Sequence, residues 1–317
     1  MTPFDGVVRV ARGRSGSAHR QPRSRLTTLA RYLLTIVDGD RPFVLVLLRR
    51  RGKHRGWPTL KRRLAGIARR SNWARSARQF LKTRLNLLDT SDVRQLMPLQ
   101  LNDLFQECDL WTESPEEILR FLGLDLDGEY SSQFRDAILA IEHRATRVSL
   151  PYPHYFDVAP RTGELLFHLV RASRPEVVVE TGIANGHSSA IILAALDLNG
   201  TGTLHSVDIK NDVGALVPDQ HPRWVKHIGD GSSAALEGVL KNIEPVDLFI
   251  HDSDHSYGAQ RAEYDIAARH GSSRFILASD DVNWSYAFLD HCRTQSLSSA
   301  VLSDVNKCFG IAWSARD

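Results

Sequence analysis

The sequence is poor in cysteine: Cys108, Cys292 and Cys308 are the three in 317 residues. Their spacing fits neither a disulfide framework nor a zinc knuckle, which points to a reducing compartment. Long apolar runs are also missing. The best, Pro42 to Leu48 (PFVLVLL), falls well short of the roughly 20 residues that span a bilayer, and Arg49, Arg50 and Arg51 follow at once. It lies too far along the chain, and lacks the small-residue cleavage site, for a secretory signal. A soluble, cytoplasmic protein is the expectation.

Acidic residues are scarce in the first part of the chain. Residues 1–90 carry 22 Lys/Arg and 4 Asp/Glu, a balance of +18; the remainder carries 18 Lys/Arg and 33 Asp/Glu, a balance of −15. The two sum to the net +3. Such polarity between halves speaks to partners rather than to chemistry. What is plentiful is apolar material, 42% of residues, enough for a substantial core.

Residues 1–25, rich in Arg, Ser and Gly, have the composition of a disordered tail. Leu26 to Val37 is expected as a helix, and Arg41 to Arg49 as a short strand or a helix continuation. Leu60 to Leu88 interleaves basic residues with Leu, Ile, Trp and Phe, as in a basic amphipathic helix or pair of helices. Residues 91–150 turn acidic and helical, a candidate lid or linker. There, Ser114 is an N-cap, with Pro115 at the first helical position and Glu117 three beyond the cap. Ser131 to His143 is a second helix.

From Arg161 the rhythm changes to alternating strands and helices, the mark of a parallel sheet. Strands are expected at Glu176–Glu180, Thr203–Val207, Trp224–Ile228, Val246–Ile250, Arg274–Ala278, Ala300–Val305 and Phe309–Ser314. Helices are expected at 162–172, 187–198, 233–240, 258–270 and 284–292. The division is therefore 1–90 basic extension, 91–150 helical lid or linker, and 151–317 α/β domain.

The most informative motif is Glu180-Thr-Gly-Ile-Ala-Asn-Gly-His-Ser-Ser189, between a buried strand and a helix. Gly182 and Gly186 allow a tight turn and close approach of a ligand at the carboxyl end of a parallel strand. The spacing is G-x-x-x-G, not the G-x-G-x-x-G of a dinucleotide site, and no Lys-Ser/Thr follows as in a Walker loop. The motif resembles motif I of the Rossmann-like S-adenosylmethionine-dependent methyltransferases. The resemblance implies an α/β Rossmann-like fold, a seven-stranded mostly parallel sheet with helices on both faces, after a basic, mainly helical amino-terminal region. It also implies a glycine turn packed on the methionine part of the cofactor, with Glu180 close by. Asp208, at the end of the next strand, would hold the ribose hydroxyls. Asp230, after the third strand, matches the position that often contacts adenine.

The fourth strand ends in His251-Asp-Ser-Asp-His-Ser-Tyr257 and the fifth in Ser279-Asp-Asp-Val282. Neighbouring strand ends lie about 5 Å apart, so both clusters face one crevice. Crowded carboxylates repel, and oxygen ligands at this density suit Mg²⁺ or Mn²⁺. This arrangement resembles the metal-dependent O-methyltransferases of natural-product sugars and the wider group with an F-I-D-x-D-H-x-Y signature. The resemblance implies Asp252, Asp280 and Asp281 as metal ligands and His255 as general base. It departs in having Asp280-Asp281 where relatives often carry Glu-Asp. Asp254 is expected to cap the loop, and His251 to point away from the site.

The favoured activity is methylation of a hydroxyl on a small molecule or sugar, with metal assistance. One alternative is a nucleic-acid methyltransferase gripping through the basic arm, although no N-P-P-Y type motif follows the fourth strand. The other is a non-catalytic binding protein on the same fold. The basic arm suits nucleic acid or an anionic membrane surface, or docking on the acidic half. Oligomerisation is left open.

Overall fold

The computed structural model describes residues 9–10, 31–38, 41–48, 99, 101–304 and 307–314. The chain divides into two compact units, residues 1–60 and 61–317. In the first, β1 (Arg9–Val10), β2 (Arg31–Asp38) and β3 (Arg41–Leu48) form an antiparallel sheet in that order. β2 pairs with β3 from Arg31 opposite Leu48 to Asp38 opposite Arg41. The helix expected over Leu26 to Val37 is thus a strand from Arg31 on. Two apolar, β-branched runs flanking Asp38-Gly-Asp carry a hairpin signal that outweighs the helical reading. Apart from β1, the expected disorder of 1–25 lies outside the described residues, as does the basic amphipathic helix expected over Leu60 to Leu88.

The second unit opens with α1 (Leu101–Glu107), β4 (Leu110–Thr112), α2 (Pro115–Phe121) and α3 (Tyr130–Ala145). Ser114 caps α2 as its sequence indicates, its side chain accepting from the Glu117 amide at 3.3 Å. A short 3₁₀ turn (His154–Phe156) leads into the α/β part. That part runs α4 (Pro160–Ser173), β5 (Val177–Thr181), α5 (His187–Asn199), β6 (Thr203–Asp208), β7 (Trp224–Ile228), α6 (Ser233–Leu240) and β8 (Val246–His251). It continues with α7 (Tyr257–Arg269), β9 (Gly271–Ser279), α8 (Ala287–Gln295), β10 (Ser298–Asp304) and β11 (Lys307–Trp313).

The sheet order is β4-β10-β11-β9-β8-β5-β6-β7. All neighbours are parallel except β11, which runs antiparallel to both β9 and β10. The fold is Rossmann-like, as expected. Its sheet has eight strands rather than seven, because β4 adds to the edge beside β10. Three residues are too few to show a readable period.

The central strands are buried on both faces, as parallel sheets require. Along β5, Val178 joins one apolar layer with Leu165, Leu169, Ile191 and Leu196 of α4 and α5. Val177 and Val179 face the opposite layer, with Leu240 of α6, Tyr264 of α7 and Phe288 of α8. Each such buried side chain contributes about 1.5–3 kcal/mol. Residues 101–150 pack into this unit too: Leu104, Ile118 and Leu119 are fully buried. Arg144 at the end of α3 donates to the carbonyls of Ala215 (3.1 Å) and Val217 (3.0 Å), beside the glycine turn described next.

The chain leaves β5 toward β6 and β7, then returns to β5's other side for β8 and β9. This switch opens a crevice at the carboxyl ends of β5 and β8. No helix among the described residues is long and apolar enough to cross a membrane.

Candidate active site

The glycine turn follows β5. Gly182 and Gly186 have φ of +87° and +82°, the left-handed region that side chains disfavour. The Gly182 amide donates to the Val207 carbonyl at 2.9 Å, tying the turn to β6. A Cβ on Gly182 would stand 2.0 Å from the Asp252 carbonyl oxygen, so the turn lies directly against the loop after β8. Asp208 completes the turn. Its Oδ2 accepts from the Ile183 amide at 2.8 Å and its Oδ1 from the Lys210 amide at 2.9 Å. Each carboxylate oxygen keeps a second lone pair for a ligand hydroxyl.

Glu180 is 1% exposed. Its carboxylate accepts from Ser188 (3.1 Å), Ser206 (2.6 Å) and Ser189. Trp224 Nε1 in turn donates to Ser206 Oγ at 2.7 Å. Burial pushes the Glu180 carboxyl up, and the serine hydroxyls oppose that. The structure thus makes Glu180 a latch joining β5, β6 and the first turn of α5, shaping the glycine turn from behind. Asp230 is exposed on the loop after β7 and accepts from the Ser232 amide at 2.9 Å. The Gly229 amide donates to the Asp208 carbonyl, which sets Asp230 beside Asp208.

Asn185, which sequence reasoning passed over, is 1% exposed and clasps the segment before α4. Its side chain accepts from the Tyr152 amide (3.1 Å) and donates to the Tyr152 carbonyl (2.9 Å). The Ser149–Pro153 stretch is thereby fixed to the glycine turn.

The second cluster sits at the ends of β8 and β9. His255 Nδ1 lies 3.0 Å from Asp281 Oδ2, and its Nε2 lies 3.4 Å from Asp252 Oδ1. Burial works against a charge on His255, but the carboxylates of Asp252 and Asp281 beside it outweigh that and raise the imidazole to about 10. Burial and the repulsion of Asp280 push the Asp252 carboxyl up to about 7. Asp281 has φ +52°, a left-handed turn that Asp tolerates better than most residues. It sends the carboxylates of Asp280 and Asp281 to different partners. Asp280 Oδ2 accepts from Lys307 Nζ at 2.9 Å, while its buried Oδ1 has no hydrogen-bond partner. Burial alone would lower the Lys307 ammonium; Asp280 beside it more than offsets this and holds it above its ordinary value.

Donor atoms of Asp252, His255 and Asp280 lie within 4.8 Å of one another. The structure brings together all four residues expected here, with Asp281 Oδ2 lying against His255 Nδ1. Asp254 accepts from the Ser256 amide at 3.0 Å, the capping position expected of it. His251 is fully buried behind the cluster, its Nδ1 2.7 Å from Glu263 Oε2 and its ring 5.6 Å from that of His255. Glu263 also accepts from Thr181 (2.6 Å) and Ser253 (2.7 Å), pinning the loop after β8. Burial opposes its charge, but these hydrogen bonds prevail and hold its carboxyl below the usual range. Trp284, 45% exposed, stands edge-on to His255 with ring centroids 6.2 Å apart.

The glycine turn at β5–β6 and the histidine–carboxylate cluster at β8–β9 therefore meet at the carboxyl edge of a Rossmann-like sheet. Residues 179–282, which span both, match a family described as a methyltransferase domain. No curated protein matches the chain. Among solved structures, the chain is similar to an O-methyltransferase from Bacillus cereus in complex with SAH, at 16% identity over 62% of this chain and 95% of that one, TM-score 0.42. It is similar to the O-methyltransferase TomG from Streptomyces achromogenes, involved in tomaymycin synthesis and in complex with SAM, at 17% identity over 61% and 92%, TM-score 0.43. A methyltransferase from Geobacter sulfurreducens aligns at 17% identity over 63% and 96%, TM-score 0.43.

Proposed function

We propose that this chain transfers a methyl group from S-adenosylmethionine to a hydroxyl of a small molecule or sugar, with His255 as general base. The observation that carries this reading is the shared crevice: the glycine turn with Asp208 on one side, the His255–Asp281 pair on the other. Gly182 and Gly186 bring backbone close to the cofactor, and Asp208 accepts from its ribose hydroxyls. When bound, the cofactor supplies a methyl on a sulfonium, electrophilic toward an oxygen aligned behind it. Asp281 orients the imidazole through Nδ1, and Nε2, 3.4 Å from Asp252 Oδ1, takes the acceptor's proton once a cation draws Asp252 away. The acceptor oxygen gives its proton to His255 Nε2 as its bond to the methyl carbon forms and the sulfur–carbon bond breaks. Trp284 offers the acceptor an apolar wall beside the base. Placement of the two reactants accounts for much of the expected acceleration.

The carboxylates of Asp252 and Asp280 suit a divalent cation, and the buried Asp280 Oδ1 has no hydrogen-bond partner. Such an ion, when bound, supplies positive charge that lowers the pKa of an acceptor hydroxyl. Asp252, once engaged with a cation, no longer holds the imidazole charged, and His255 is freed to take a proton.

The test is methyl transfer to a panel of phenolic and sugar acceptors, read by mass spectrometry. Excess chelator is expected to suppress transfer, and Mg²⁺ or Mn²⁺ to restore it. A rate indifferent to chelator would remove the ion from this reading, and with it the step that frees His255 to take a proton. No transfer to any hydroxyl, with transfer to an amine or thiol instead, would move the acceptor to another class.

A further inference from the structure

The carboxylate pocket is already furnished with a cation of its own. Lys307 is the first residue of β11, and the antiparallel pairing of β11 with β9 sets Gly310 opposite Ser279. That register, reinforced by the Val282 amide donating to the Cys308 carbonyl at 3.0 Å, carries Lys307 past the end of β9 to the acidic pair. Its Nζ reaches Asp280 Oδ2 at 2.9 Å, with the two side chains 26% and 5% exposed. Three carboxylates (Asp252, Asp280, Asp281) thus face two cationic groups, Lys307 and His255. Only half of Asp280 is satisfied: Oδ1 is buried and without a partner.

We propose that Lys307 is a tethered counter-cation that competes with a divalent ion for Asp280 and so sets how tightly the pocket takes one. The inference rests on the metal-assisted reading above and deepens it. A divalent ion bound through Asp252 and Asp280 places two positive charges next to an ammonium in a poorly hydrated pocket. Either the lysine withdraws along its flexible stem or the ion binds against its repulsion. Both routes weaken binding relative to the same carboxylates without the lysine. Lys307 is a positioning residue in this account, acting through Asp280.

The experiment is calorimetric titration of Mn²⁺ into the full chain, comparing the parent with Lys307→Met, Lys307→Arg and the double variant Lys307→Met/Asp280→Asn. Lys307→Met should bind Mn²⁺ roughly tenfold or more tighter than the parent, the scale of removing one close like charge from a partly buried site. Lys307→Arg, which keeps the charge, should bind no tighter than the parent. The double variant should lose the gain. Equal or weaker binding by Lys307→Met, or a gain that survives Asp280→Asn, overturns the proposal. If neither the parent nor Lys307→Met binds Mn²⁺, the proposal falls together with the metal. Titration of S-adenosylmethionine into the same samples then shows whether the methyltransferase reading stands. Circular dichroism of each variant confirms its fold, and Lys307→Gln replaces the Met variant if that one unfolds.

Discussion

Replacing His255 with Ala is expected to slow methyl transfer by roughly 10²- to 10⁴-fold, the usual contribution of a positioned base. Cofactor affinity should hardly change, because the glycine turn and Asp208 belong to different strand ends. The loss should fall on kcat rather than KM, since the imidazole acts on a proton in flight and not on the bound acceptor alone. The same ion pairs give His255 a stability signature. The His255 imidazole is raised from 6.5 to about 10 by its two carboxylate partners. Its ion pairs therefore contribute fully to folding below about pH 6.5, and that contribution fades as pH rises toward about 10. The stability difference between parent and His255→Ala, followed by urea unfolding, should be largest in the acid half of this window and shrink toward its alkaline end. A variant that keeps the parental rate would remove His255 from the chemistry.

How much of this was legible in the sequence depends on what each feature requires. The strand–glycine turn–helix unit was readable because φ above zero and a buried strand leave plain marks, and Gly182 and Gly186 sit where those marks place them. Asp208 and the Asp252–His255 pair were readable because a parallel strand delivers its last residues to one edge of the sheet. Lys307 was not. It reaches Asp280 through the antiparallel register of β11 with β9, a long-range pairing that local pattern does not encode. Nor were the different partners of Asp280 and Asp281, Lys307 and His255, with the left-handed backbone at Asp281 between them. The serines that engage Glu180 look like ordinary helix-start and strand residues until three elements meet around one carboxylate. At the amino terminus the apolar run of β2 is eight residues long with a β-branched centre, short enough to fit a helical or a strand template, and the pairing with β3 decides it.

Gly182→Ala is expected to be the most damaging single substitution in the turn. The new Cβ would meet the Asp252 carbonyl oxygen at 2.0 Å and its carbon at 2.7 Å, both backbone atoms that no side-chain rotation can move. The residue would also be held at a φ of +87°. Left-handed strain of about 1–2 kcal/mol adds to overpacking of about 1–3 kcal/mol, a sizeable share of a typical domain's stability. Because the clash lies between β5 and the loop after β8, its relief would pull Asp252 away from His255. Cofactor binding and catalysis should fail together. Gly238→Ala is the matched control: its Cβ would meet nothing within 4 Å, and it sits inside α6. That change should be neutral or stabilising by roughly 0.5–1 kcal/mol. Thermal unfolding of the two variants beside the parent checks both expectations, and a Gly182→Ala chain as stable as Gly238→Ala would mean that the turn is not packed as described.

The crevice at the ends of β5 and β6 is expected to bind S-adenosylmethionine through the glycine turn and Asp208. Calorimetric titration of the cofactor, and of its demethylated product, into the parent and into Asp208→Ala tests it most directly. The account predicts saturable one-to-one binding by the parent. It predicts binding roughly 10- to 100-fold weaker in Asp208→Ala, the loss of charge-assisted hydrogen bonds to the ribose. Parent-like affinity in Asp208→Ala, or no binding by the folded parent, would contradict it.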